Sequence, residues 1–257
     1  MEALEFKLQG KMAHFRKYYS NSTALSYHVP PVITVKGILA GLLGRERDSY
    51  YEEFSNEQCC IGIAIDFPLK KITQTMNLLK VERVSELSGT GVHSQNNTEW
   101  VVPQNIRTGI LSYTIVVVHK KQEIMDALLQ KTGSLDVGYQ SEGFSLALGA
   151  AQCQGWITGG KKIELSWEKS GSEEVISRFA VPVSVMDSVK MYQNSFSIKK
   201  EETITELDCD RYLTEGSKMD IMLSANGLPL SYQLKPGTIY WKYGQENLVL
   251  LGDHFME

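Results

Sequence analysis

The order of strand-like and helix-like patterns in the first 160 residues constrains the fold of this chain more than any other feature. Four segments have the length and apolar character of strands, and two place their apolar residues at helical spacing. The predicted strands are Ala3–Gln9, Cys59–Phe67, Gly109–His119 and Phe144–Trp156, and the predicted helices open at Pro31 and at Gln122. Gly44 and Gly133 follow the last apolar residues of these helices, where glycine commonly ends a helix.

This order predicts an α+β fold. Strand, helix, strand, strand, helix, strand is the βαββαβ order of the ferredoxin-like (RRM-like) plan, and sheets of this plan are a common platform for RNA. A weaker helical spacing over Lys70–Lys80 predicts one further short helix. Residues 82–106 are rich in Gly, Ser, Asn and Gln and predict a hairpin or flap inserted into a domain of residues 1–160. Residues 161–257 hold short alternating segments between turn signals and predict a β-rich C-terminal part.

Residues 10–47 form what we call the basic-aromatic segment. They contain six Lys or Arg residues and one acid, a local charge of +5, whereas the whole chain sums to −4, so the other residues carry −9. A basic, aromatic-rich island on an acidic protein indicates a confined site for a polyanion. The candidate binding residues in the segment are Lys11, His14, Arg16, Lys17, Tyr18, Tyr19, Tyr27, His28, Lys36, Arg45 and Arg47.

Two interpretations of this segment stay open from composition alone. In the first, it binds single-stranded RNA, because Lys and Arg neutralise phosphates and Tyr or His stacks on unpaired bases for about 1–3 kcal/mol each. In the second, it is a solvated loop whose tyrosines cover the core. Its Tyr and Phe content argues against simple disorder.

Catalytic and metal chemistry has weaker support. The chain has no P-loop, GxGxxG, GxSxG or HExxH motif, and we expect no cofactor. Asp208 and Asp210 form a D-x-D pair without a companion acid cluster, so we expect no metal site. The cysteines lack CxxC spacing and are expected to be reduced thiols. Metal-independent RNA cleavage is the enzymatic alternative, and its candidates are His14, Tyr18, Tyr27, His28 and the trio His119, Lys120 and Lys121.

The expected compartment is the cytoplasm. No apolar run reaches the roughly 18 residues that span a bilayer, and the first residues lack the pattern of a signal peptide. We therefore expect no membrane partner.

Three stretches, in this order along the chain, resemble the CRISPR-associated Cas5 family of the RAMP superfamily. They are HFRKYYSNSTALSYHVPPVITVKGILAGLLG (14–44), VPQNIRTGILSYTIVVV (102–118) and FSLALGAAQCQGWI (144–157). The first stretch is most similar to the type I-B group. The resemblance implies a RAMP domain with a ferredoxin-like fold and a subunit of a type I Cascade surveillance complex.

The resemblance also implies partners and site residues. Family members bind the 5′ handle of the CRISPR RNA, contact the backbone and large subunits, and place a thumb hairpin near target DNA at the guide's 5′ end. Arg107 joins the RNA-binding candidates on this basis, and the implied thumb residues are Gly89, Gly91, His93, Gln95 and Trp100. One branch of the family is an endoribonuclease that uses Tyr, Lys and His. This chain reads His119-Lys120 where that branch has Lys-His, so we expect a non-catalytic subunit, with precursor processing as the alternative.

Overall fold

The computed structural model describes residues 1–20, 22–79, 83–88, 93–133, 145–190 and 197–252. The described part is strand-rich, with α-helices α1 (Val32–Leu42) and α2 (Gln122–Gly133) and short 3-10 helices at Val84–Ser88 and Val183–Val185. The strands up to residue 164 are β1 (Glu2–Gly10), β2 (Phe15–Arg16), β3 (Ser26–Tyr27), β4 (Cys59–Ile65), β5 (Leu69–Leu79), β6 (His93–Pro103), β7 (Leu111–His119) and β8 (Gly155–Glu164). The later strands are β9 (Ser166–Lys169), β10 (Glu174–Ser177), β11 (Val181–Pro182), β12 (Met186–Lys190), β13 (Ile198–Ile204), β14 (Lys218–Ser224), β15 (Leu230–Leu234), β16 (Ile239–Tyr243) and β17 (Glu246–Leu248).

A four-stranded antiparallel sheet with the order β4-β7-β1-β8 organises the first part of the chain. Strands β4 and β7 are buried along their whole length, which fits their Val- and Ile-rich sequences. Both predicted helices are confirmed and lie between the strands as expected. Helix α1 starts directly after Pro31, and Gly44 adopts φ 69° just beyond its end.

The two faces of this sheet are covered by different parts of the chain. On one face, strand residues such as Phe6 and Ile115 share a core with Leu39 of α1 and Leu128 of α2. On the other face, Val116 and its neighbours pack against apolar residues of the C-terminal part, which are Leu165, Phe179, Trp241, Leu248 and Leu250. Because β4 and β7 have no exposed face, these two strands do not offer an open platform for RNA.

The C-terminal part is β-rich, as predicted. Its strands form three small antiparallel sheets with the orders β10-β15-β12, β11-β14-β13 and β17-β16-β9. Strand β13 reaches back to the first part of the chain, because Thr203 lies beside the start of α1, where its hydroxyl accepts a hydrogen bond from the Val32 amide at 3.4 Å.

Two local predictions were wrong. The segment predicted as a helix over Lys70–Lys80 is strand β5, which pairs with β6. The strand predicted over Phe144–Trp156 begins only at Gly155. Before it, the described residues from 145 onward form a turn in which the Leu148 amide donates to the Cys153 carbonyl at 2.6 Å. The long loop expected after β1 also contains a short hairpin, β2–β3.

Strands β5 and β6 form a two-stranded ribbon. Their register runs from Leu69↔Pro103 to Leu79↔His93, and the ribbon is about 35 Å long at about 3.3 Å per residue. Val101 at its base is fully buried, while Gln95 and Asn97 farther out are exposed. The inserted segment predicted over 82–106 thus contributes one strand of a hairpin whose other strand begins at Leu69. Gly89 and Gly91 lie outside the described residues. In the described part of the chain, no helix has the length and apolar character needed to cross a membrane.

Candidate nucleic-acid interface

The basic-aromatic segment is held between the ribbon base and the turn before β8. Ala13 pairs with Val101 through two backbone hydrogen bonds of 2.9 Å. The His14 amide donates to the Leu148 carbonyl at 3.0 Å, and Phe15 pairs with Tyr27 in the β2–β3 hairpin. The first two contacts come from elements distant in the chain, and the third ties the segment to itself, so the backbone from Ala13 to Phe15 is fixed.

One group of the predicted residues is at the surface. Tyr18 and Tyr19 are 41% and 49% exposed, and their rings meet edge to face at 5.2 Å. The exposed cations are Lys11, Arg16, Arg45, Arg47 and Arg107. Arg16 donates to the Ser20 carbonyl at 3.0 Å, and Lys11 donates to the Gly109 carbonyl at 3.1 Å. Carbonyl partners leave the positive charge of both side chains uncompensated, so both are suited to phosphate contacts.

A second group is buried, and its assignment to RNA binding is wrong. Lys36 is fully buried, and its ammonium donates to Asn56 Oδ1 at 2.8 Å and to the Thr205 carbonyl at 3.0 Å. His14 is 9% exposed, and its Nδ1 lies 2.7 Å from the Glu99 carbonyl oxygen. Tyr27 is 2% exposed, and burial raises the pKa of its hydroxyl. These three side chains stabilise the fold beneath the surface group.

Trp100 is also a buried residue, which corrects its assignment to a thumb. It is 3% exposed, and its ring centroid lies 5.4 Å from that of His14. Gln95, in contrast, is exposed on the outer part of the ribbon, and His93 is the first residue of β6. The aromatic residue at the ribbon base therefore belongs to the core.

The structure brings a buried carboxylate of the C-terminal part against the basic-aromatic segment. Glu201 of β13 accepts hydrogen bonds from the His28 amide at 2.9 Å and from the His28 ring Nδ1 at 2.8 Å. The ammonium groups of Lys17 and Lys71 lie 3.4 Å and 3.6 Å from the same carboxylate. Lys71 also lies 3.4 Å from Glu99. We call these five residues the Glu201 network.

Charge pairing outweighs desolvation in two members of this network. Burial opposes ionisation of Glu201, but its hydrogen bonds and charge contact with His28, together with Lys71, lower its pKa to about 2. Burial lowers the pKa of Lys17, but the Glu201 carboxylate and the Tyr19 hydroxyl together more than compensate, so the pKa is raised. In Lys71, burial dominates and the pKa is lowered. Lys17 and His28 are therefore bound to the protein itself.

Local charge counting overestimated the free positive charge of the segment. Arg45 makes a two-point contact with Glu53 at 2.7 Å and 2.9 Å, and Arg47 lies 3.4 Å from Asp48. Both pairs are at the surface, where ion pairs contribute only about 0–1 kcal/mol. An RNA phosphate can compete for these guanidinium groups more easily than for the ammonium of the half-buried Lys17.

Sequence reasoning missed two lysines at this interface. Lys71 belongs to β5, which was predicted as a helix, and Lys218 belongs to β14, far away in the chain. The Lys218 ammonium lies 4.9 Å from the Tyr18 ring centroid, a distance suited to a cation–π contact. Alternation in residues 69–79 is the one signal that points to Lys71, whereas no local pattern indicates the position of Lys218.

His119 has both ring nitrogens engaged within the protein. Its Nδ1 accepts from the Lys121 amide at 3.0 Å, which assigns the ring hydrogen to Nε2, and Nε2 donates to the Glu53 carbonyl at 2.8 Å. The residue is 6% exposed, and burial lowers its pKa. His119 ties the end of β7 to the segment that follows α1.

The acidic residues Asp208 and Asp210 form a local turn. Asp208 Oδ1 accepts from the amides of Asp210 at 3.0 Å and Tyr212 at 2.7 Å. Within the described ranges, no group of three or more His, Cys, Asp or Glu residues is arranged to hold a metal ion.

Comparisons with known proteins place this geometry in context. The sequence model of a family described as "CRISPR-associated protein (Cas_Cas5)" matches residues 3–107. A comparison with curated proteins finds no match. A crystal structure of a CRISPR protein from Archaeoglobus fulgidus is similar with a TM-score of 0.59, at 11% identity, over 98% of this chain and 100% of that chain. A chain of a CRISPR RNA-guided surveillance complex has a TM-score of 0.46, at 12% identity, over 88% of this chain and 91% of that chain. The first of these similarities shows a shared fold.

Proposed function

We propose, since residues 3–107 belong to the CRISPR-associated Cas5 family as the resemblance predicted, that this chain is a non-catalytic RNA-binding subunit of a type I Cascade surveillance complex. In this role it binds the 5′ handle of the CRISPR RNA and caps the backbone beside the large subunit. The first stretch of the resemblance favours the type I-B group. The fold supports a ferredoxin-like RAMP domain, because the sheet order β4-β7-β1-β8 and the positions of α1 and α2 are those of a βαββαβ unit.

The observation that carries the proposal is the exposed tyrosine pair within a basic surface. Tyr18 and Tyr19 offer ring area to solvent, and Lys11 and Arg16 lie on the same fixed segment. Exposed aromatic rings beside cations are the arrangement that binds single-stranded nucleic acid, since rings stack on bases and cations neutralise phosphates. The alternative of a loop that only covers the core applies to Tyr27, not to these two tyrosines.

Removing three exposed cations should weaken RNA binding. A Lys11→Ala, Arg16→Ala, Arg47→Ala variant should bind RNA carrying the repeat of the host's CRISPR array more weakly than the unaltered chain. Its salt dependence, the slope of log K against log salt, should decrease by about 2, because each phosphate contact on a single strand contributes about 0.7. Filter binding from 50 mM to 300 mM salt measures both quantities.

The matched control removes three exposed lysines from β8, β9 and β12, namely Lys162, Lys169 and Lys190. Because the net charge change is the same, a nonspecific effect of total charge would lower both slopes equally. Equal slopes in the two variants would place the RNA elsewhere on the protein.

The geometry of His119 supports a non-catalytic role. A general base needs a ring nitrogen within reach of the substrate hydroxyl, and both nitrogens of His119 are engaged with backbone groups. Purified protein incubated with repeat RNA in EDTA should therefore leave the RNA intact on a denaturing gel. A defined cut that disappears in a His119→Ala variant would instead establish precursor processing as the function.

We further propose that the β5–β6 ribbon contacts target DNA near the guide's 5′ end. The ribbon is anchored in the core at Val101, and its outer part presents uncharged polar residues such as Thr75 and Asn97. Replacing residues 78–94 by an Asn-Gly turn should shorten the ribbon without changing handle affinity, since Asn-Gly favours tight hairpins. Target pairing by the assembled complex should weaken at the first guide positions, as permanganate footprinting can detect. If target pairing at the first guide positions is unchanged in the shortened variant, the ribbon does not contact target DNA there.

A further inference from the structure

A second surface of the chain meets the tyrosine pair. Tyr18 donates a hydrogen bond from its hydroxyl to Glu202 of β13, and the Lys218 ammonium of β14 lies 4.9 Å from its ring centroid. The ring nevertheless remains 41% exposed. Tyr18 is thus oriented by two residues of the C-terminal part while much of its surface stays available to a ligand.

Glu202 and Lys218, which both contact Tyr18, also line an open cavity of about 530 Å³. It lies between the Val183–Val185 turn and the start of β14, and its polar lining residues are Ser184, Glu202, Lys218 and Asp220. The volume is within the range of small-ligand sites. Glu202 thus belongs both to the cavity and to the contact with Tyr18, and the cavity's carboxylates provide hydrogen-bond acceptors.

The two carboxylates of the cavity face each other. Glu202 and Asp220 are direct partners in the β13–β14 register, and like charges in that position destabilise a sheet. Lys200 lies 2.7 Å from Asp220, and Glu202 receives the Tyr18 hydroxyl. A carboxylate can accept about four hydrogen bonds, so Glu202 keeps acceptor capacity that a ligand with N–H donors can satisfy.

We propose that this cavity binds one nucleobase of the RNA and selects guanine. Tyr18 stacks on the base, and Glu202 accepts hydrogen bonds from its Watson–Crick edge. Guanine presents two neighbouring donors, N1–H and the N2 amino group, which match the two oxygens of a carboxylate. Uracil offers one donor there, and in adenine and cytosine the amino group stands beside an acceptor nitrogen that a carboxylate repels. The inference rests on the proposed RNA-binding function and assigns a base-specific role to one part of it.

The structure offers a matched control for Glu202. In the sheet of β9 and β16, the Tyr240 hydroxyl donates to Glu168 at 2.6 Å, and the Lys242 ammonium lies 5.2 Å from the Tyr240 ring centroid. Tyr240, Glu168 and Lys242 thus make the same two kinds of contact as Tyr18, Glu202 and Lys218. Tyr240, however, is 3% exposed and cannot stack on a base.

The experiment compares octauridylate RNA with the same RNA carrying a single guanosine, inosine, adenosine or cytidine at its centre. The unaltered chain should bind the guanosine RNA about tenfold more tightly than the inosine RNA, which lacks only the N2 amino group. Glu202→Gln should reduce that ratio to about twofold or less, because an amide has only one acceptor oxygen. Glu168→Gln should leave the ratio at about tenfold, and thermal melting checks that both variants are folded.

The outcomes separate this inference from the function on which it rests. Tight binding of every RNA with a guanosine-to-inosine ratio near one, or a ratio that Glu202→Gln does not change, would overturn the guanine site and leave RNA binding intact. If the unaltered chain binds neither these RNAs nor the repeat RNA, the proposed function is overturned as well.

Discussion

A Gly149→Ala variant should be far less stable than a Gly159→Ala variant. Both glycines have a positive φ, +90° and +67°, which costs an L-residue about 1–2 kcal/mol. The difference lies in the space around them. A Cβ at Gly149 would contact the His14 carbonyl oxygen and lie 2.7 Å from the His14 carbonyl carbon, whereas a Cβ at Gly159 would meet nothing within 4 Å.

The contact at Gly149 is with backbone, so no rotamer change can relieve it. His14 is held by the hydrogen bond from its amide to the Leu148 carbonyl and by the neighbouring pairing of Ala13 with Val101. We expect Gly149→Ala to lower the free energy of unfolding by about 3 kcal/mol or more, since overpacking alone costs about 1–3 kcal/mol. Gly159→Ala should cost only the backbone term. Urea unfolding of both variants measures the difference, and equal losses would show that the segment can move away from Gly149 at little cost.

This prediction gives a physical meaning to the Leu-Gly-x-x-x-Cys stretch in which the resemblance was seen. The Leu148 carbonyl accepts a hydrogen bond from the His14 amide, and the Leu148 amide donates one to the Cys153 carbonyl. Gly149 lets the basic-aromatic segment approach the turn closely, because it has no Cβ. Displacement of His14 should move Arg16 and Tyr18, which lie two and four residues after it. The stability loss in Gly149→Ala should therefore be accompanied by weaker RNA binding under conditions where the variant is still folded.

The local patterns that were predicted correctly are those with one dominant period. The Val- and Ile-rich run of β7 and the helical spacing of α1 each match a single type of element. In β5, Ile72 and Met76 fit helical spacing together with Leu79, and they fit strand alternation together with Leu78. Pairing with β6 decides between the two, and that contact cannot be read from either segment alone.

The candidate site was predictable only where its residues act locally. Exposure of Tyr18 and Tyr19 follows from a polar surrounding sequence, but burial of Lys36 depends on Asn56 and on Thr205, which come from distant segments. Glu201 is 173 residues away from His28 in the chain. A count of charge within residues 10–47 therefore includes cationic side chains as available for RNA although partners elsewhere in the chain already bind them.

Glu201 provides the second large expected effect. Replacing it by Ala should lower the free energy of unfolding by about 3–5 kcal/mol, because Lys17 would lose its carboxylate partner and Lys71 one of its two, while both ammonium groups remain partly buried. The adjacent Glu202 is half-buried and accepts a hydrogen bond from the Tyr18 hydroxyl at the surface, so Glu202→Ala is the matched control and should cost about 1 kcal/mol or less. Urea unfolding at pH 7 gives both values.

Acid titration tests the same carboxylate without removing its volume. The pKa of Glu201 is lowered from 4.5 to about 2 in the folded chain. Stability from this shift is therefore complete above the unfolded pKa of 4.5, decreases as the pH falls below it, and is lost near pH 2. Its size is about 3 kcal/mol at about 1.4 kcal/mol per pKa unit.

Glu201→Gln keeps the shape but does not titrate, so between pH 6 and pH 3 its stability should fall by less than that of the unaltered chain, as urea unfolding at each pH can measure. If both proteins lose stability in parallel over this range, the buried carboxylate is not the group that links the C-terminal part to the basic-aromatic segment.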